Sequence, residues 1–191
     1  MHIVIARYNE SIDWLNDIEY SYTVYNKGLP DIEFEYTQLL NTGRESDTYL
    51  YHIVTNYDTI DQPIAFLQGK PFEHCSNLLE ILKNNTNTES VVSLSDYIAT
   101  DDRDGNPHHY GLPIGAVLDE IIFPNRMFNS FDFSTGAQYI VPVNCIKSKS
   151  HTWWNNVYET HTKWTNGAAG TAGPWIFERL WPVIWNYKES R

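Results

Sequence analysis

Positive charge is scarce in this sequence. Thirteen lysines and arginines face 24 aspartates and glutamates, a net charge of −11. Grip on nucleic-acid backbones or anionic membranes rests on clustered cations that neutralise phosphates. Sequence-independent binding to either is therefore excluded, and only a local basic pocket for one small phosphorylated ligand stays open. Cysteine is nearly absent: Cys75 and Cys145 stand in no metal-ligand spacing, which removes a disulfide framework and a thiolate zinc site. No run of about 18 apolar residues occurs, and "HIVIA" follows Met1 without a basic and apolar leader. The expectation is a soluble, cytoplasmic protein with no transmembrane segment. A Gly-rich phosphate loop, a nucleophile elbow and a zincin helix are missing as well, so P-loop, serine-hydrolase and metalloprotease chemistry have no support.

Aromatic residues, by contrast, make up 15% of the 191 residues, a length that suits one domain with a ring-rich core or cleft. "HIVIARYNE" (2–10) reads as a buried strand with a polar exit, and "SIDWLND" (11–17) as a short helix capped by Ser11. "YSYTVYNKG" (20–28) and "DIEFEYTQLL" (31–40) read as two further strands. In "GRESDTYLYHIVTNYD" (43–58) Tyr49, Leu50, Ile53, Val54 and Tyr57 recur at helical spacing, and Asn41 or Thr42 can cap the helix. "PIAFLQG" (63–69) has the pattern of a strand buried on both faces, "PFEHCSNLLEILKN" (71–84) that of a helix, and "VVSLSDYIA" (91–99) is strand-like or extended. "TDDRDGNPHHYGLP" (100–113) is an aperiodic loop of the kind that carries function. A helix near 114–122 leads through "FPNRMFNSFDF" to a strand over 136–146 interrupted by Pro142. A helix over 151–164, a flexible Gly/Ala linker over 165–174 and a terminal helix over 175–187 follow. This alternation predicts an α/β fold, one domain over 1–191 with a mainly parallel central sheet flanked by helices and some antiparallel additions.

Five groups of residues carry chemistry, each beside a plainer reading. Arg7, Asn9 and Glu10 sit at the carboxyl end of the first strand, where open α/β sheets bind ligands, or else form a polar turn. Arg44 and Glu45 stand at a helix mouth: the guanidinium can hold a phosphate or carboxylate and the carboxylate a ribose hydroxyl, or the two are a surface ion pair. Asp101, Asp102, Asp104, His108 and His109 could present oxygens to Mg²⁺ or Mn²⁺ with a histidine nitrogen added for Mn²⁺, or form an acidic turn. Glu178 and Arg179 lie among Trp175, Phe177, Trp181 and Trp185, an apolar setting that must pair them or use them. A general base at Glu178 and a structural ion pair are both open. Six of seven tryptophans fall in 153–185. Core packing is expected for most of them, with Trp153 or Trp154 lining a cleft where rings stack on sugars or bases.

Taken in order, "VIARYNESIDWL", "YNKG", "GRESDTYLYHIVTNYD", "FLQGKPFEH", "DGNPHHYGL", "GAQYIVPVNCI" and "ERLWPVIW" resemble a family known only as domain of unknown function 3431. That family's pattern is in turn similar to glycosyltransferases of the GT-A type, a Rossmann-like fold in which the first strand ends in a "YNE"-like turn and the nucleotide-sugar lies over the sheet edge. The resemblance implies nucleotide contacts at Arg7, Asn9 and Glu10, with Arg44 and Glu45 as a second part of the donor site. Gln68 and Gly69 stand where such enzymes usually carry their Asp-x-Asp metal motif. Either "TDDRDG" supplies a Mn²⁺ or Mg²⁺ site, or Arg44 and its helix end neutralise the diphosphate without one. The strand holding Gln138 resembles the one that shapes the acceptor side, and Glu178, next to Arg179, is the candidate acceptor base.

The expected function is glycosyl transfer from a nucleotide-sugar donor to a glycan or other hydroxyl acceptor. Two rivals stand beside it. One is a non-catalytic nucleotide- or carbohydrate-binding module that has lost the metal motif. The other is a metal-dependent hydrolase or phosphoesterase built on the Asp/His loop.

Overall fold

Strand β1 (His2–Arg7) is short and apolar, and its side chains divide by the two-residue period of a strand: Ile3 and Ile5 enter one core, Val4 the other. The structure is a computed structural model that describes residues 1–122, 128–166 and 171–189. After β1 come β2 (Ser21–Asn26), β3 (Tyr36–Gln38), α1 (Arg44–Asn56), β4 (Ile64–Gln68), α2 (Leu78–Asn84), β5 (Val92–Ser93), β6 (Ile98–Asp102) and α3 (Ile114–Ile121). The chain ends with β7 (Ser130–Ser134), β8 (Tyr139–Val141), α4 (Val143–Lys147), α5 (His151–Asn166) and α6 (Gly173–Asn186).

Six strands form one sheet in the order β3-β2-β1-β4-β8-β5. The first four are parallel, and β8 runs antiparallel to both neighbours. The result is the mixed α/β architecture that the alternating pattern implies, with a mostly parallel sheet. Helices α1, α3, α5 and α6 bury their apolar sides on one face with Val4, Phe66 and Tyr139. Leu78 and Leu82 of α2 cover the other face with Ile3, Ile5, Ala65 and Leu67. Among the described residues no helix is long and apolar enough to cross a membrane.

An aromatic ladder fixes α6. The rings of Trp181 and Trp185 stack at 4.5 Å, and Trp185 stacks in turn on Phe66 of β4 at 5.6 Å. Glu178 lies three residues before Trp181 on the same helical stripe, so this stacking carries its carboxylate to the end of α6 that faces the carboxyl ends of the strands.

Several segments fold differently from expectation, each for a local reason. Only Tyr36–Gln38 of the segment 31–40 pairs as a strand, at the sheet edge, while Asp31 turns away to Arg7. Ser11 Oγ accepts the Asp13 amide at 3.3 Å at the start of the short turn Asp13–Asp17, whereas no side chain caps α1, whose N-cap is Gly43 rather than Asn41 or Thr42. The helix expected over 71–84 begins only at Leu78, because the amide of Ser76 is taken by Asp96 at 2.9 Å instead of joining a helical ladder. Pro142 does more than interrupt a strand. It ends the ladder and opens α4, since proline lacks the amide a strand needs but fits a helix start.

The segment around Asp101 is strand β6, not loop. It pairs with β7, which was expected to be part of a connection, and alternation turns Ala99 and Asp101 inward while Ile98 and Thr100 face out. Residues 123–127 of that connection and 167–170 of the expected Gly/Ala linker lie outside the described residues.

Candidate functional site

Strands β1 and β4 are neighbours in the sheet, with β2 on the other flank of β1, and the segments after β1 and β4 meet at the carboxyl ends, where Trp14 donates to the Gly69 carbonyl at 3.0 Å. Open α/β sheets bind ligands beyond the carboxyl ends of their strands, where the strand order reverses. A cleft of about 550 Å³ lies there, with Ala6, Arg7, Tyr8 and Glu10 after β1 and Gln68 at the end of β4. The start of α1 supplies Asn41, Arg44 and Glu45, and α6 supplies Trp175 and Glu178; Lys27, His74 and Gly136 complete the walls.

The backbone at the mouth of α1 is unusual. Gly43 has φ 62° and Arg44 φ 49°, two successive left-handed residues. Glycine is needed at the first, since a Cβ there would come within 2.5 Å of Asp47 Cβ and His161 Cε1. At the second, an arginine accepts a conformation that costs non-glycine residues on the order of 1 kcal/mol. Lys27 holds the turn. Its buried ammonium donates to the carbonyls of Thr42 (2.6 Å) and Arg44 (2.7 Å) and to Asp47 Oδ2 (2.6 Å), and burial pulls its pKa down while Asp47 raises it.

With the backbone fixed, Arg44 reaches across to α6 and stacks over the Trp175 ring, 4.4 Å from its centroid. Its guanidinium makes no hydrogen bond or ion pair with the chain among the described residues, so its donors face the cleft. Arg7 is the opposite case. Only 3% exposed, it donates to Asn26 Oδ1 (2.7 Å), Asp31 Oδ1 (2.7 Å) and the carbonyls of Tyr8, Glu10 and Leu29. It is a latch that binds the β1 exit to the segment after β2. Asn9 accepts the Leu29 amide and faces a neighbouring surface depression, while Glu10 lines the cleft and accepts the Tyr8 amide at 2.7 Å.

Besides Glu10, two carboxylates line the cleft. Glu178 is pinned at both oxygens: Oε1 accepts the Gly136 amide at 2.8 Å, and Oε2 accepts Arg179 at 2.5 Å. Arg179 is held in turn by Asp101 Oδ2 at 2.9 Å and lies over the Phe133 ring. Asp101, fully buried, takes the amide and imidazole of His108 on its other oxygen. Burial alone would raise the Asp101 carboxyl, but the His108 and Arg179 donors outweigh it and hold it below the usual value.

Glu45 is the second carboxylate. Burial above all, with the charge of Glu178, pushes it up to about 7 against its own backbone amide, Arg44 and Lys27. A carboxyl raised in the folded state loses stability as pH climbs from its unfolded value to its folded one. The unfolding free energy should therefore fall between about pH 4.5 and 7, by on the order of 2 kcal/mol after allowance for partial exposure. Urea titrations at a series of pH values should show that slope in the wild type and its loss in Glu45→Gln.

The structure thus brings Arg7, Glu10, Arg44, Glu45, Gln68 and Glu178 to one cleft, the Arg7 guanidinium being spent on the chain itself, and separates the other expected residues from it. Gln138 is buried beneath the floor, where its oxygen accepts the Gln68 amide and its nitrogen bonds the carbonyls of Pro71 and Leu94. Trp153 and Trp154 are buried in the core, Trp153 stacked on Tyr187 at 5.5 Å, so the cleft tryptophan is Trp175 instead. The residues of the Asp/His loop do not fit a divalent cation. Asp101 is spent on Arg179 and His108, and Asp102 accepts the amides of Asp104 and Asn106 in a tight turn. Among the described residues no three His, Cys, Asp or Glu side chains gather as a metal would need.

Sequence reasoning passed over Lys27, His74, Trp175 and Gly136. Lys27 and His74 follow strands at the same carboxyl edge as Arg7, and that position was the available signal. Gly136 carried no signal in sequence, because its role depends on neighbours distant along the chain.

A family model described as Protein of unknown function (DUF3431) matches residues 3–96. The match covers Glu10, Arg44, Glu45, Gln68 and His74, while Gly136, Trp175 and Glu178 lie beyond it. No curated protein and no solved structure matches the chain.

Proposed function

We propose that the cleft binds a nucleotide-sugar and transfers its sugar to an acceptor hydroxyl, as in a glycosyltransferase of the GT-A type. The observation that carries this reading is Arg44, an uncommitted guanidinium at a helix mouth in a ligand crevice. It is maintained in a strained backbone conformation that a glycine would adopt without cost. Strain of this kind gathers at ligand-binding positions. The cleft also lies over the sheet edge, where the GT-A resemblance implies the donor, and Gln68 stands in place of an Asp-x-Asp.

In an inverting transfer the acceptor oxygen attacks the anomeric carbon as the bond from that carbon to the diphosphate oxygen breaks. The acceptor proton passes to Glu178, and the nucleoside diphosphate leaves with the electron pair. Arg179 and the Gly136 amide keep Glu178 oriented as an acceptor of that proton. Arg44, together with the first amides of α1, meets the charge that grows on the leaving diphosphate. Glu45, whose carboxyl burial pushes up to about 7, can in its protonated form donate a hydrogen bond to a ribose or sugar hydroxyl.

Thermal denaturation with UDP-, GDP- and TDP-sugars, each with and without Mn²⁺ or Mg²⁺, tests the binding half of the proposal. At least one donor should raise Tm by about 5 °C at a hundredfold excess over Kd. A panel that leaves Tm unmoved would contradict it.

A further inference from the structure

Gly136 sits in the turn between β7 and β8 with φ 86°, in the left-handed region that favours glycine. Space demands glycine as well, since a Cβ would come within 2.5 Å of the His74 ring at Cδ2 and Cγ. The residue's two backbone polar groups are both taken by cleft side chains. Its amide donates to Glu178 Oε1 at 2.8 Å, and its carbonyl accepts Gln68 Nε2 at 2.8 Å. Three side chains from three parts of the chain therefore converge on one glycine: Glu178 from α6, Gln68 from β4, and His74 from the turn after β4.

Of these, His74 alone has nothing to bond. Its imidazole is half-buried and lines the cleft, with no hydrogen-bond partner among the described residues. An imidazole can offer both a donor and an acceptor, which is the complement of a hydroxyl group. The cation for a diphosphate, Arg44, is presented by a different element, α1. The Gly136 corner is thus furnished for a neutral polyhydroxyl group beside the carboxylate that takes the acceptor proton.

The geometry points to His74 as a specificity-determining residue whose imidazole binds a hydroxyl of the transferred sugar, with Gly136 as the residue that makes room for it. This inference rests on the nucleotide-sugar reading of the cleft.

Isothermal titration calorimetry with UDP-glucose, UDP-N-acetylglucosamine and GDP-mannose, beside free UDP and GDP, tests it. His74→Ala should weaken the bound nucleotide-sugar by about fivefold, the worth of one hydrogen bond, and leave the matching free nucleotide unchanged. His74→Phe, which keeps a ring over Gly136 without a polar atom, should give the same selective loss. Gly136→Ala should give it too, by displacing the imidazole. Equal affinity of wild type and both His74 variants for the nucleotide-sugar, or an equal loss for sugar-bearing and free nucleotide, overturns the role of His74 while the proposed function stands. Failure of the wild type to bind any UDP-, GDP- or TDP-sugar overturns the proposed function, and the role of His74 with it.

Discussion

Arg44→Ala is expected to weaken nucleotide-sugar binding by about a hundredfold or more, because each charge-assisted hydrogen bond to a phosphate is worth roughly 1.5–3 kcal/mol and a guanidinium can make two. The fold should be indifferent to the change. Among the described residues the Arg44 guanidinium makes no hydrogen bond, and its stacking on Trp175 is worth only about 0.5–1 kcal/mol at an exposed site. Arg44→Gly sharpens the test. It relieves a left-handed backbone that costs on the order of 1–2 kcal/mol, so Tm should hold or rise slightly while binding is lost. A residue that lowers stability but supplies affinity is what a ligand grip looks like; a residue serving only as a cap would show the reverse. Calorimetry and thermal denaturation on the same three proteins read both quantities.

Glu178→Gln is expected to separate binding from chemistry. The amide keeps the size of the side chain and can still accept the Gly136 amide, so donor affinity should change little. Loss of a positioned general base should lower the transfer rate by about 10²–10⁴-fold. Arg179 remains paired with Asp101 in this variant, which limits the structural cost of removing one charge from the network. If donor affinity falls as far as the rate, Glu178 serves binding instead. Rates of nucleoside diphosphate release measured at saturating donor, together with donor Kd, distinguish the two outcomes.

The fold was legible where periodicity is strong. The apolar runs of β1 and β4 and the stripe of Tyr49, Leu50 and Ile53 on α1 declare themselves, because burial on both faces or along one helical side leaves a regular pattern. It was hidden where one polar residue sits inside a short strand. Asp101 reads as a loop acid in sequence, yet it occupies the inward face of β6, paired with an arginine 78 residues further along the chain. The candidate site was legible at Arg44 and Glu178 because charged residues at a helix mouth or among tryptophans call for a reason. Trp175 was obscured by five other tryptophans in the same stretch, most of which fill the core, as Trp154, Trp181 and Trp185 do. Arg7 looked like a ligand contact by position. Its hydrogen bonds to Asn26 and Asp31 depend on the pairing of β1 with β2, which sequence spacing does not reveal.

The most direct test of glycosyl transfer in this cleft is release of nucleoside diphosphate from a panel of UDP-, GDP- and TDP-sugars, offered with hydroxyl acceptors and with or without Mn²⁺ or Mg²⁺. Wild type should turn over at least one donor, Glu178→Gln should bind the same donor without turning it over, and Arg44→Ala should do neither. Donors that bind the wild type but are never turned over would contradict the enzyme and leave a nucleotide-sugar-binding module in its place.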